Sequence, residues 1–385
     1  MKLLRLPRSK VQLGIALPWN VRDEHSLLLL SKGHIVESEQ QLEALLERGA
    51  FVDIEEVKAA GTKATMVSVA DPAKTMGAAA NVFGLWDQTT DRLVKLMTHV
   101  AQQPDFPESI DQFALHIVEL VDLNPDIAIY RSVRQDNAKN FYYGYTHAVF
   151  TAVLCILMSR HLKWSTVYMM SLVKAALTMN MTILELQGQM AGQEDPMKEK
   201  QRALIQQHPV SAVELLQKVG VKDPDWLAAV AQHHERADGT GYPLSCKDIG
   251  EIGVALRVAD VFMAKISPRV LRTALSPQEA IRQLYREDNG GPISTAIIKE
   301  LGIYPPGDFV KLASGELGLV VQRTANARAP IVASITDTDG RPVARTLRHD
   351  TAQPGFAIVG SATDKAMLAR LPPERLYGYS AAPAA

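Results

Sequence analysis

The chain has 385 residues, enough for two or three domains and a sizeable buried core. With 47% hydrophobic and 22% charged residues it reads as an ordinary globular protein, and a formal net charge of −1 gives no electrostatic case for nucleic acid or a membrane surface. The longest apolar run, Ala148 to Met158, is broken by Thr151 and too short for a bilayer, the start Met1-Lys-Leu-Leu-Arg-Leu-Pro lacks a secretory hydrophobic region, and Cys155 and Cys246 lie far apart without metal spacing, so a reduced, cytoplasmic protein is expected.

In chain order, short apolar stretches at 11–17, 26–30 and 34–37, separated by turn residues, suggest strands. Ser38 with Gln41 three residues on gives a capping-box pattern, and a helix over 39–47 should stop at Arg48-Gly49 before a strand begins at Phe51. Residues 1–57 are therefore read as a small α+β unit. The segment 58–88, rich in Ala, Gly, Thr and Lys up to Ala80, reads as a linker. Residues 89–305 carry helical periodicity almost throughout, as at 91–97, 110–121 and 211–216. After Pro305-Pro306-Gly307 the pattern changes: 309–312, 317–321 and 331–335 alternate or cluster β-branched residues, and Asp339-Gly340 offers a hairpin turn. Residues 306–385 are expected to form a β-rich extension. The fold class is mainly α, a helical bundle with a small α+β unit before it and a small β-rich tail after it.

The most informative stretch is His233-His234-Glu235-Arg236-Ala237-Asp238-Gly239-Thr240-Gly241-Tyr242-Pro243. The preceding Trp226-Leu-Ala-Ala-Val-Ala-Gln is a good helix former, so two imidazoles fall near a helix C-terminus. Glycines that permit φ > 0 and a proline that stops the helix follow at once. Metal-ligating groups at the mouth of a loop are the result. The string HHExxDGxGYP resembles the signature of the HD-GYP phosphodiesterases, and the resemblance extends over roughly Ile110 to Pro306. It implies a helical domain that holds iron or manganese and hydrolyses cyclic di-GMP through a metal-bound hydroxide.

Five ligand positions of that family match: His147 in Tyr145-Thr-His-Ala-Val, His208 in Gln207-His-Pro-Val, the pair His233 and His234, and Asp260 in Val258-Ala-Asp-Val-Phe. The motif that names the family does not. Where it has His-Asp-x-Gly-Lys, this chain has Met179 for the histidine, Asn180 for the bridging aspartate and Ile183 for the lysine, and neither His nor Asp occurs between His161 and Asp195. The acidic residue some members carry four positions before the first histidine is Tyr143. Asparagine supplies no negative charge between paired cations, and a thioether is a soft ligand poorly matched to divalent iron or manganese. One half of the site keeps only His147 and Asp260. The other keeps His208, His233 and His234, which could hold one metal, so at most one divalent ion per chain is expected.

Further along, Ile266-Ser-Pro-Arg269-Val-Leu-Arg272 preserves two basic positions of the family's phosphate-binding segment. Arg269 and Arg272, three apart, are expected on one helix face. Gly239, Gly241, Tyr242 and Pro243 persist although the His-Asp dyad is gone. An exposed Tyr242 on a stiffened loop would suit docking to diguanylate cyclase domains, and termination of its helix is the plainer use. The resemblance thus implies a degenerate signalling module that binds cyclic di-GMP or a related cyclic dinucleotide, with weak or lost hydrolysis; a one-metal phosphodiesterase and a purely structural scaffold are the alternatives. A homodimer is compatible with the sequence.

Overall fold

The computed structural model describes residues 3–5, 17, 20–23, 28–30, 34, 36, 50–53, 82–135, 140–343, 346–362 and 373–377. It divides into two compact units, Met1–Ala78 and Ala79–Ala385. The first contains strands β1 (Leu3–Arg5), β2 (Val21–Arg22), β3 (Leu28–Leu30) and β4 (Phe51–Asp53), in the antiparallel order β1-β4-β2-β3. Strands β3 and β4 fall within the stretches the sequence marks. Leu17, His34 and Val36 are not in strands, although Leu17 N–H donates to the His34 carbonyl at 2.8 Å. Residues 11–16, the helix expected over 39–47 and most of the linker lie outside the described residues.

The second unit opens with α1 (Val82–Met97), seven residues before the helical region expected from the sequence. Val82, Phe83, Trp86 and Leu93 recur at helical spacing and are buried, so the apolar stripe starts inside the stretch read as linker. Helices α2 (Phe106–Leu123) and α3 (Pro125–Val133) meet at Asn124, whose side-chain oxygen accepts Ile127 N–H at 3.0 Å as the N-cap of α3. Next come α4 (Tyr143–His161), α5 (Thr166–Thr178), α6 (Leu184–Gly192), α7 (Glu199–Lys218), α8 (Pro224–Gln232), α9 (Glu251–Ile266), α10 (Pro277–Glu287) and α11 (Pro292–Leu301). Helix α4 is apolar on every side, which in a globular fold requires neighbours all round. It has them: α1, α2, α3, α5, α6, α9 and α11 all pack against it. The stretch Asn140–His161 is the one candidate among the described residues long and apolar enough to cross a membrane, and most of it is buried here as a core helix.

The chain then forms β5 (Phe309–Leu312), β6 (Leu317–Gln322), β7 (Ile331–Ser334), β8 (Arg348–Asp350) and β9 (Ile358–Ser361), an antiparallel sheet in the order β8-β7-β6-β5-β9. Strands β5, β6 and β7 coincide with the three marked in the sequence. The turn at Asp339-Gly340 is present, with Gly340 at φ 80° and Asp337 N–H bonded to the Arg341 carbonyl at 2.8 Å. One face of the sheet joins the helical core through Phe309, Leu319, Val321, Ala333 and Ile335. At the edge of that contact Arg323 reaches Asp126 (Nε–Oδ1 2.6 Å) and Glu300 (Nη1 to the carbonyl oxygen, 2.6 Å), tying β6 to α3 and α11. The helical bundle with strand units at both ends is the architecture expected from the sequence.

Candidate metal and phosphate site

His208 lies on α7 immediately before Pro209, His233 caps the C-terminus of α8, and His234 follows it. Short helical turns aim the first two rings. His208 Nδ1 faces the Ile205 carbonyl at 2.5 Å and His233 Nδ1 faces the Val230 carbonyl at 2.7 Å. A carbonyl only accepts, so each Nδ1 carries the hydrogen and each Nε2 keeps a lone pair when the ring is neutral. Those two Nε2 atoms stand 3.0 Å apart.

Both rings are neutral near pH 7. Burial, with the neighbouring His233, pushes His208 down to about 3. Burial also lowers His233, and it lowers His234 well below the usual imidazole value. Two buried lone pairs facing each other at that distance repel unless a cation lies between them. The ligand atoms of His208, His233 and His234 all lie within 4.8 Å of one another. Metal–imidazole bonds of about 2.1 Å in tetrahedral geometry need roughly 3.4 Å between nitrogens, so a modest ring rotation completes the set. The three imidazoles fit one divalent ion with a position left open.

The second pair is different. His147 on α4 and Asp260 on α9 are both buried and bonded to each other, Nε2–Oδ1 2.7 Å. Burial alone would raise the Asp260 carboxyl. The bond to His147 outweighs it, joined by attraction to His147, His234 and His233 in their protonated forms at low pH, and holds the carboxyl below the usual carboxylate range. Helix α9, which carries Asp260, packs on α8, which ends at His233, and the charge of Asp260 in turn opposes the lowering of His208, His233 and His234 by burial. Met179 and Asn180 are buried at the end of α5, and Ile183 is buried just before α6. Helix α5 packs on α4, α8 and α9, the elements that carry His147, His233 and Asp260.

Around this site the structure corrects two expectations. Tyr242 is not an exposed anchor: its ring stacks on His234 (centroids 4.5 Å apart, planes 23° apart), and burial pushes its phenol well above the ordinary value. The exposed apolar side chain of the loop is Leu244. Nor do Arg269 and Arg272 share a helix face. Helix α9 ends at Ile266, before Pro268, and the two arginines close a tight turn in which each backbone N–H donates to the other's carbonyl at 3.1 Å. Arg272 donates onward to the Ala264 carbonyl, while Arg269 reaches the hydroxyl of Tyr143.

Glu235 has a role not read from the sequence. It is fully buried, and its carboxylate accepts Leu244 N–H at 2.7 Å and Cys246 N–H at 3.1 Å, so it folds the loop back under the histidine pair. Gly241 is required where the loop returns, because a Cβ there would lie 2.5 Å from both Arg236 N and Glu235 Cα. Gly239 supplies a φ of 77°. Glu235 stood in the quoted string, between the ligand pair and the glycines, and its position was the available signal.

Comparison with known proteins places this geometry in a family. Residues 118–290 match the HD domain family. The chain is 28% identical over 186 residues to the cyclic di-GMP phosphodiesterase PA4108 of Pseudomonas aeruginosa, a match covering 47% of this chain and 45% of that relative. The chain thus spans less than half the length of the curated relative it matches. The solved structure of Bd1817, a HDG"Y"P protein from Bdellovibrio bacteriovorus, aligns with a TM-score of 0.49 at 16% identity, over 77% of this chain and 98% of that one, a likeness too low to argue from. Residues 118–290 thus carry the match to the HD domain family, and the chain is similar to a cyclic di-GMP phosphodiesterase, with Met179 and Asn180 at the positions where the resemblance of the sequence to HD-GYP proteins would place the His-Asp dyad.

Proposed function

We propose that this is a degenerate HD-GYP signalling protein of the cytoplasm that binds cyclic di-GMP or a related cyclic dinucleotide and hydrolyses it slowly or not at all. The observation that carries the reading is the asymmetry of the site. Among three neutral imidazoles two unshared Nε2 lone pairs point at one place, whereas His147 Nε2 is already bonded to Asp260 and only its buried Nδ1 is left without a hydrogen bond. His208, His233 and His234 would hold a single divalent ion, iron or manganese. A bound ion there supplies positive charge to a phosphate oxygen and acidifies a coordinated water.

The chain's own residues do the rest. The carbonyls of Ile205 and Val230 fix the tautomers of His208 and His233. Tyr242 holds the plane of His234, and Glu235 fixes the loop that carries Tyr242. Arg269 and Arg272 place two guanidinium groups on one turn, suited to phosphate oxygens. A bridging carboxylate, which phosphodiester hydrolysis by a close metal pair requires, has no counterpart at Asn180. The alternative of a one-metal phosphodiesterase is favoured by the similarity to PA4108.

Elemental analysis of protein purified without chelator tests the metal reading, with one ion per chain expected and two overturning it. Calorimetric titration with cyclic di-GMP, followed by a hydrolysis assay on the same sample, separates binding from turnover. Turnover in the common enzyme range of about 1–10³ per second would overturn the degenerate reading in favour of the one-metal enzyme.

A further inference from the structure

We propose that Arg257 of α9 and Arg236 of the loop after His234 form an anion-binding pair at the three-histidine half of the site, suited to a phosphate group of a bound nucleotide. The pair deepens the cyclic-dinucleotide reading and rests on it for which nucleotide brings the phosphate.

Gln232, the residue before the ligand pair, accepts Gly250 N–H at 2.9 Å, and its side chain lies against Gly253, where an added Cβ would meet the Gln232 Cβ at 2.9 Å. The first turn of α9 therefore sits on the end of α8. Arg257 follows Gly253 by one helical turn and leaves α9 from the same face, beside the chain that runs from Gln232 through His234 to Arg236. It precedes Asp260 on the helix, whereas Arg269 and Arg272 come after the helix has ended. The charges follow the same path. The His234 imidazole is lowered mainly by burial and by His233, and Arg257 adds to that. Asp238 is held low mainly by its bonds to Thr240, with Arg236 and then Arg257 adding to them.

Among the described residues neither guanidinium makes a hydrogen bond or an ion pair. Arg257 is nonetheless half-buried, and a charge partly out of water without a partner is costly. Burial, and next the like charge of Arg236, lower it from the ordinary arginine value, so its surroundings favour a bound anion. Three carboxylates act on it, and each is bonded elsewhere: Glu287 Oε1 to Lys265 Nζ at 3.0 Å, Asp288 Oδ2 to Ser294 N–H at 3.3 Å, and Asp238 Oδ1 to Thr240 N–H at 2.9 Å. Guanidinium groups donate through fixed N–H forks that match phosphate oxygens.

The test follows phosphate binding at the site itself. Inorganic phosphate is titrated into the full chain held in chelator while the His234 imidazole signals are recorded by NMR. Wild type should show a saturable shift. Its midpoint should move to about tenfold higher phosphate in Arg257→Gln and about threefold higher in Arg236→Gln, as loss of a charge-assisted hydrogen bond requires. Arg257→Lys, which keeps the charge and loses the fork, should move it less than Arg257→Gln. Arg282→Gln removes the same charge from an exposed arginine of α10 paired with Glu279, and should leave the midpoint unchanged. No saturable shift in wild type, or equal midpoints in wild type and Arg257→Gln, overturns the proposal. Should Arg257→Gln lose its fold, as its urea midpoint would show, Arg236→Gln on the exposed loop decides alone, and an unmoved midpoint there overturns the proposal. Calorimetry with cyclic di-GMP on the wild-type chain keeps the two ideas apart: an intact phosphate titration without cyclic di-GMP binding sinks the cyclic-dinucleotide reading and leaves the arginine pair standing.

Discussion

The two halves of the site are built from the same kinds of group and have opposite electrostatic needs. In the half formed by His208, His233 and His234, backbone carbonyls take the Nδ1 hydrogens and leave lone pairs facing each other. In the half formed by His147 and Asp260, the donor and the acceptor find each other at 2.7 Å. Ligand-type residues therefore do not by themselves define a metal site. What also counts is which nitrogens are already bonded: His147 Nε2 is committed to Asp260, and its buried Nδ1 is the one left without a partner.

The sharpest way to break this comparison is to remove one ligand from each half. His233→Ala should lower metal affinity by at least about 100-fold, more than loss of an outer-sphere partner does. His147→Ala should leave the single ion in place. Equal losses in the two variants, measured by competition with a chelator dye, would abolish the distinction. Next in size is Glu235→Ala, which strands the Leu244 and Cys246 N–H groups. Each unsatisfied buried donor costs about 1–3 kcal/mol, so urea denaturation should show a loss of roughly 2–4 kcal/mol. A loss below 1 kcal/mol would show that the loop does not depend on this carboxylate.

The halves should also separate by pH. The folded-state values of His208, His233 and His234 lie below the ordinary imidazole value of 6.5. Unfolding therefore takes up protons once the pH falls under 6.5, and the stability these groups allow is full above that pH. It drains as pH falls toward the folded value, about 3 for His208, by up to ~1.4 kcal/mol per pH unit per group. Asp260, held below its ordinary 3.8, contributes stability above that value and loses it only at lower pH. In chelator, urea midpoints should fall between pH 6.5 and 4.5, and His208→Ala should flatten the fall. An unchanged slope would mean that the three-histidine half is not neutral. The smallest effect is expected from Tyr242→Ala, which removes the stack on His234. About 1 kcal/mol of stability should go, with little change for Tyr242→Phe, which keeps the ring.

Much of this was legible in the chain. The helical period from residue 91 onward, the β-branched clusters after Gly307 and the turn at Asp339-Gly340 report local chemistry that packing did not override. The histidine positions were legible through their order along the sequence. Three things were not. The register of apolar residues from Val82 was masked by the neighbouring Ala- and Gly-rich stretch. The turn at Arg269–Arg272 looked helical because spacing alone does not show where α9 stops, although Pro268 was a hint. The orientation of Tyr242 depends on Glu235 folding the loop inward, a contact between a side chain and amides nine and eleven residues away.

Arg323 gives the sheet a further significance. Its guanidinium joins a strand that follows the matched HD region to helices α3 and α11, while Phe309, Leu319, Val321, Ala333 and Ile335 complete the interior those helices enclose. The family match ends at residue 290, but the cooperative folding unit does not. A fragment cut at 305 would open its own core to water, so the inherited boundary of the domain and its thermodynamic boundary lie at different places in this protein.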